Sequence, residues 1–155
     1  MSESLGAARA DDLPQLVELL GILFAQEHEL SPEADKQLRG LRLILADAAI
    51  GRIYVARDRT RVLGMVSILH SISTAEGGPV GLLEDLVVRP EWRGRGLGSK
   101  LLAYAIAQAR AEGLLRLILL TDGDNFNAQR LYERAGFARS GMLPMRLRLR
   151  RSGGT

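Results

Sequence analysis

Residues 81–111 commit the chain to one local architecture. Residues 81–88 read as a strand that Arg89-Pro90 terminates, and residues 97–111 read as a helix ended by Gly113. Between them runs Arg93-Gly94-Arg95-Gly96-Leu97-Gly98-Ser99-Lys100, a glycine-rich passage from strand to helix. Glycine lets a backbone approach a ligand closely, and the first amides of a helix lack internal acceptors. The positive end of the helix dipole, with Arg93 and Arg95, turns those amides into an anion site. A diphosphate is the natural occupant. Spacing narrows the carrier. A nucleoside-triphosphate loop needs glycines five apart followed by Lys and then Ser or Thr, whereas Gly98-Ser99-Lys100 has the wrong order. The dinucleotide fingerprint needs glycine at the first, third and sixth places. Its sixth place is Ser99 counted from Gly94 and Leu101 counted from Gly96. Neither fits, and a purely structural turn stays open at this point.

The rest of the chain surrounds that passage with alternating elements. Asp11, Asp12 and Pro14 open a helix with Leu13, Leu16, Val17, Leu20, Leu23 and Phe24 at three- and four-residue spacing. A second helix is expected over 32–48, capped by Ser31. Residues 53–56 and 62–68 read as a hairpin around the polar turn 58–61. Residues 73–79 form a loop, 114–121 a buried strand, and 125–135 a helix stopped by Gly136. Phe137 is expected to begin the last strands. In one of these Met145, Leu147 and Leu149 alternate with Arg146, Arg148 and Arg150. With a short strand before the first helix, the order is that of an α/β (α+β) fold, a mixed sheet flanked by helices.

At 155 residues and 16.9 kDa the chain suits one domain, with a core over about 5–150 and a frayed tail over 152–155. Folding should bury about two-thirds of the unfolded surface. There is no cysteine, which excludes disulfides, thiolate metal sites and a cysteine nucleophile. Two isolated histidines, His28 and His70, give no metal signature and read as loop or strand-end residues. No signal peptide or membrane-length apolar run is present, so the expected location is the cytoplasm. The net charge of +3 and pI near 9.8 raise the question of nucleic acid. All basic residues except Lys36 and Lys100 are arginine, scattered apart from those near the end. Aromatics make up only 5% and are not interleaved with that cluster, which argues against nucleic acid.

Two motifs then fall into one frame. Arg93, Gly96 and Gly98 match Arg/Gln-x-x-Gly-x-Gly/Ala, and downstream stands Asn125-x-x-Ala128-x-x-Leu131-Tyr132-Glu133-x-x-Gly136-Phe137. In these motifs, and in element order over about residues 5–150, the sequence resembles the GNAT superfamily of acetyl-CoA-dependent N-acetyltransferases. The resemblance implies a centrally splayed sheet and acetyl-CoA as cosubstrate, with no metal. It implies that Arg93, Gly94, Arg95, Gly96, Leu97, Gly98 and Ser99 cradle the pyrophosphate. Leu86, Val87 and Val88 would pair with the pantetheine arm as an added strand does, with Asn125 and Tyr132 flanking the cofactor.

For the chemistry, the resemblance makes the Leu86 N–H the donor to the thioester oxygen and Tyr132 the acid for the leaving thiolate. The base is expected to be Glu84, directly or through a water, with Asp85 as the alternative. Neighbours on a strand point to opposite faces, and Glu84 shares a face with Leu86 and Val88 unless a bulge resets the register. Without cysteine, direct attack of a primary amine in a ternary complex is expected. A catalytically weak acetyl-CoA-binding sensor or assembly module of the same fold is the alternative reading. The acceptor is a small-molecule or peptide amine. Glu84, Asp85, Asp122 and Asp124, with Glu76 over the same mouth, point to a cationic one. A homodimer is compatible with the family, and no sequence pattern decides it.

Overall fold

A computed structural model describes residues 3–26 and 33–150. Five strands form one mixed sheet in the order β1-β2-β3-β4-β5: β1 Ser4–Ala7, β2 Gly51–Asp58, β3 Arg61–Ser73, β4 Gly78–Val88 and β5 Leu117–Leu119. The first four are antiparallel, and β5 lies parallel to β4 across the crossover helix α3, Leu97–Ala111. Helices α1 (Leu13–Gln26) and α2 (Ala34–Ala46) precede the central hairpin, and α4 (Phe126–Arg134) follows β5.

The period-2 pattern of the strands assigns each face its helices. Ile53, Val55, Met65 and Val87 point to one face and pack under Leu16, Leu19 and Leu20 of α1 and Leu41 of α2. Tyr54, Val66, Ile68 and Leu83 point to the other face and meet Leu101, Leu102, Ala105 and Ala109 of α3. Leu117 and Leu119 of β5 extend that second layer, and Leu131 and Tyr132 of α4 pack against it. The hairpin reverses through Arg59 and Thr60, with Arg59 at φ 56° and Asp58 paired to Arg61.

The turn between β1 and α1 is tied to β2 by a buried ion pair. Arg57 donates to both carboxylate oxygens of Asp12, at 2.9 and 2.6 Å, and the Arg9 N–H donates to the same carboxylate at 2.7 Å. The guanidinium holds the Asp12 carboxyl below its ordinary value.

Most expected elements form, with shifted ends. The second helix begins at Ala34 rather than Pro32. Its expected cap Ser31 lies outside the described residues, as does His28, and Glu33 is the N-cap instead. The strand expected over 114–121 is regular only over Leu117–Leu119, with the Leu115 N–H also donating to the Pro79 carbonyl at 2.8 Å. The strands expected after Phe137 do not form among the described residues. An alternating strand pattern is stable only where a neighbouring ladder accepts its amides. Residues 138–150 run without regular structure, and Leu143, Met145, Leu147 and Leu149 are 81–94% exposed.

Candidate active site

The site is built where β4 changes its partners. Along its first half β4 pairs with β5, the last pair being Leu83 with Leu119. Beyond Leu83 the two parallel strands part, while β4 continues along β3. In the same stretch the β3–β4 register jumps from Ser67–Glu84 to Met65–Val87, so Asp85 and Leu86 oppose Val66 alone. Asp85 takes a left-handed φ of 58°, the conformation that lets a strand hold one extra residue. Aspartate tolerates that region better than most residues. Ser67 Oγ fastens the bulge by donating to the Glu84 carbonyl at 3.1 Å.

The bulge resets which way each side chain points. Val87 joins the layer under α1 and α2, and Glu84 opposite Ser67 shares that face. Leu86 packs on the α3–α4 side, in the cluster that also holds Tyr132 and Phe137, and Val88 packs beside Leu97. Glu84 and Leu86 therefore open to opposite faces of the sheet, where an unbroken strand would have aligned them. Glu84 is half-buried, and burial raises its carboxyl pKa above the ordinary value.

Past Val88 the chain enters the glycine turn. Arg89 is buried; its Nε donates to the Val62 carbonyl at 2.6 Å and its Nη1 to Glu18 at 2.7 Å. These bonds lock the exit of β4 to the hairpin and α1. Gly94 and Gly96 both adopt φ 76°, a region that disfavours a side chain, and a Cβ on either would meet open space. Conformation, not crowding, requires glycine there. Gly96 caps α3 without any side-chain acceptor for the first amides of the helix. Gly98 faces only Val88 Cγ2, 3.8 Å from where its Cβ would lie. Arg93 donates from Nε to the Val88 carbonyl at 3.2 Å, and Arg95 lies over the Trp92 ring at 4.7 Å. The Arg93 N–H is taken by the Pro90 carbonyl at 3.2 Å, and the start of α3 beyond it has no side-chain cap. An open turn with two arginines at an uncapped helix start suits a pyrophosphate, so these residues fit the cofactor inferred from the sequence.

The chain matches the acetyltransferase (GNAT) family over residues 13–137. It belongs to that family. Aminoglycoside N(6')-acetyltransferase type 1 of Stenotrophomonas maltophilia is 33% identical over 111 residues, covering 70% of this chain and 72% of that enzyme. Mycothiol acetyltransferase of Nocardiopsis dassonvillei is 46% identical over 63 residues, covering 41% of this chain and only 19% of that protein. Among solved structures, an integron cassette protein from the mobile metagenome of Cole Harbour Salt Marsh superposes with a TM-score of 0.82. It shares 28% identity, covering 96% of this chain and 91% of that one.

Within this GNAT chain the remaining candidates separate. Tyr132 stands half-buried on α4, edge-on to Phe137 with ring centroids 5.9 Å apart. Asn125 is the N-cap of α4, its Oδ1 accepting from the Ala128 N–H at 3.2 Å. Asp122 and Asp124 follow β5, and Gln129 donates to the Asp122 carbonyl at 2.9 Å, holding that turn against α4. Glu76 is not at this mouth. It occupies the turn before β4, and the rise of the strand puts Gly78 about 20 Å from Glu84. His70 lies opposite Gly81 with Nε2 3.6 Å from Glu112, away from the splay. Among the described residues no group of three or more His, Cys, Asp or Glu is placed to hold a metal ion. The sequence reading missed Arg89 as the anchor of the loop and Ser67 as the clasp of the bulge. A basic residue before proline at a strand end was the available signal for Arg89, while Ser67 had none.

Proposed function

We propose that this chain is an acetyl-CoA-dependent N-acetyltransferase acting on a primary amine by direct attack in a ternary complex. The bulged stretch of β4 that has parted from β5, beside the glycine cradle, carries this reading, because it offers a binding edge, an anion site and a carboxylate within one stretch of chain. Acetyl-CoA supplies the thioester. The amides from Gly94 to Ser99, with the Arg93 and Arg95 side chains, bind the pyrophosphate, and the edge of Leu86, Val87 and Val88 that β5 leaves free receives the pantetheine arm as an added strand.

The opposite facing of Glu84 and Leu86 divides the labour. Glu84 opens toward α1 and α2, the side from which the amine enters, and takes the amine proton directly or through a water. Its raised pKa moves it toward the range of a useful base. The Leu86 side chain packs on the α3–α4 side, and its backbone N–H, in the plane of the sheet, donates to the carbonyl oxygen as negative charge develops there. A nitrogen–carbon bond forms, the carbon–sulfur bond breaks, and the Tyr132 hydroxyl gives its proton to the departing thiolate. No cysteine exists to carry an acyl-enzyme. Asp85, Asp122 and Asp124 border the splay, which favours a cationic acceptor. The aminoglycoside enzyme's name points to the same class of acceptor.

The test is release of CoA thiol and mass-spectrometric detection of acetylated product across amines matched in size but opposite in charge. Turnover of cationic amines, with a Michaelis constant that rises with salt, is the expected result. Binding of acetyl-CoA without turnover of any amine would favour the sensor reading instead.

A further inference from the structure

Two arginines stand at the glycine turn, and each is held by a different part of the molecule. Arg95 lies over the Trp92 ring, inside the turn itself. Arg93 is held from outside it. Its Nε donates to the Val88 carbonyl, and its Nη2 and Nη1 donate to the Gln26 carboxamide oxygen at 2.9 and 3.3 Å. Gln26 is the last residue of α1, a helix whose last turn carries no basic residue of its own. The carbonyls at a helix C-terminus attract a cation, so a guanidinium from another element is favoured there. Arginine has five N–H bonds. Three are engaged in this way, and two are left for an anion.

The chemistry of the holding group matters. The arginines that tie the fold together meet carboxylates: Arg57 meets Asp12, Arg89 meets Glu18 and Arg52 meets Glu112. A carboxylate fixes a guanidinium but offsets its charge. A carboxamide fixes it and leaves the charge whole. We propose, on the acetyl-CoA reading above, that Gln26 is a positioning residue for the cofactor, holding the Arg93 guanidinium with its charge intact so that its two remaining N–H bonds meet the pyrophosphate. An arginine held before binding has already lost the rotamer freedom that a mobile one loses on binding. The same contact joins the cradle to α1, which covers the face of the sheet that Glu84 shares.

The test is calorimetric titration of CoA into the unsubstituted protein, Gln26→Ala, Gln26→Glu and Gly98→Asp, with circular dichroism as the check on folding. Gln26 and Arg93 are both exposed, and alanine suits the last turn of a helix. Gln26→Ala should weaken CoA binding about threefold to tenfold, the effect of losing one hydrogen-bonded contact. Gln26→Glu should weaken it further, because a carboxylate still holds Arg93 but cancels its charge beside an anionic ligand. A contact that merely tethers α1 to the turn gives the reverse, with Gln26→Glu binding CoA as well as the unsubstituted protein or better. In an Arg93→Ala background Gln26→Ala should have no further effect, since the group it positions is gone. Equal or tighter CoA binding by either Gln26 variant, or a full additive loss in the Arg93→Ala background, would overturn the role of Gln26 while Gly98→Asp still binds weakly. Unchanged affinity in Gly98→Asp would instead overturn the cradle, and the role of Gln26 with it.

Discussion

At the scale of single residues the account rests on two side chains on opposite sides of one strand. Glu84 has its pKa raised by burial, so its ionised form is disfavoured in the folded protein. Stability contributed by the protonated carboxyl is present at low pH and lost as pH rises through the folded pKa, above the ordinary value of 4.5. Glu84→Gln should therefore hold or raise the melting temperature at neutral pH while lowering kcat/KM by about a hundredfold or more, the cost of losing a general base. The acidic limb of the pH–rate profile should vanish with it. An unchanged limb in that variant would assign the base elsewhere. Tyr132→Phe should lower kcat by about tenfold or more with little change in the Michaelis constant for acetyl-CoA, since the hydroxyl acts as the thiolate develops. Wild-type kcat, with chemistry shown to limit turnover, would leave Tyr132 a packing residue beside Phe137.

At the scale of elements, the clamp between Asp12 and Arg57 holds the chain entering α1 against β2. Asp12→Ala leaves a buried guanidinium without its partner, and the expected loss is about 3–5 kcal/mol in denaturant unfolding. Because Arg57 depresses the Asp12 pKa, this contribution is present above the ordinary value of 3.8 and is lost as pH falls through the lower folded value. An Asp12→Ala protein with wild-type stability at neutral pH would contradict the assignment. Both helices that open the fold were legible from their three-and-four spacing, and the hairpin from its change of period. The faces of Glu84 and Leu86 were not, because alternation holds only along an unbroken strand. The residue that breaks it is an aspartate, which marks a left-handed position far more weakly than glycine. Residues 114–121 read as one apolar run, and composition along one strand carries no record of where its neighbour diverges. The alternation of residues 143–149 is strand-like in sequence, yet no strand forms there among the described residues. Pattern specifies a strand's faces but not which sheet receives it.

At the scale of the whole molecule, the excess positive charge resolves into separate uses rather than one basic patch. Arg57 and Arg89 are buried struts, Arg93 and Arg95 stand at the cradle, and Arg146, Arg148 and Arg150 lie in the irregular segment that follows α4. The glycine turn remains the centre of the account, and Gly98 is its cleanest probe. A Cβ there meets one atom at ordinary contact distance, and Gly98 needs no unusual φ, so substitution tests the ligand rather than the fold. The deciding measurement is a calorimetric titration of CoA into the unsubstituted protein, Gly98→Ala and Gly98→Asp, each checked for unchanged circular dichroism. The first two should bind alike. Gly98→Asp should bind at least about tenfold more weakly, about 1.4 kcal/mol, because its carboxylate stands where the pyrophosphate must sit. Equal CoA affinity in a folded Gly98→Asp protein would contradict the assignment of this loop.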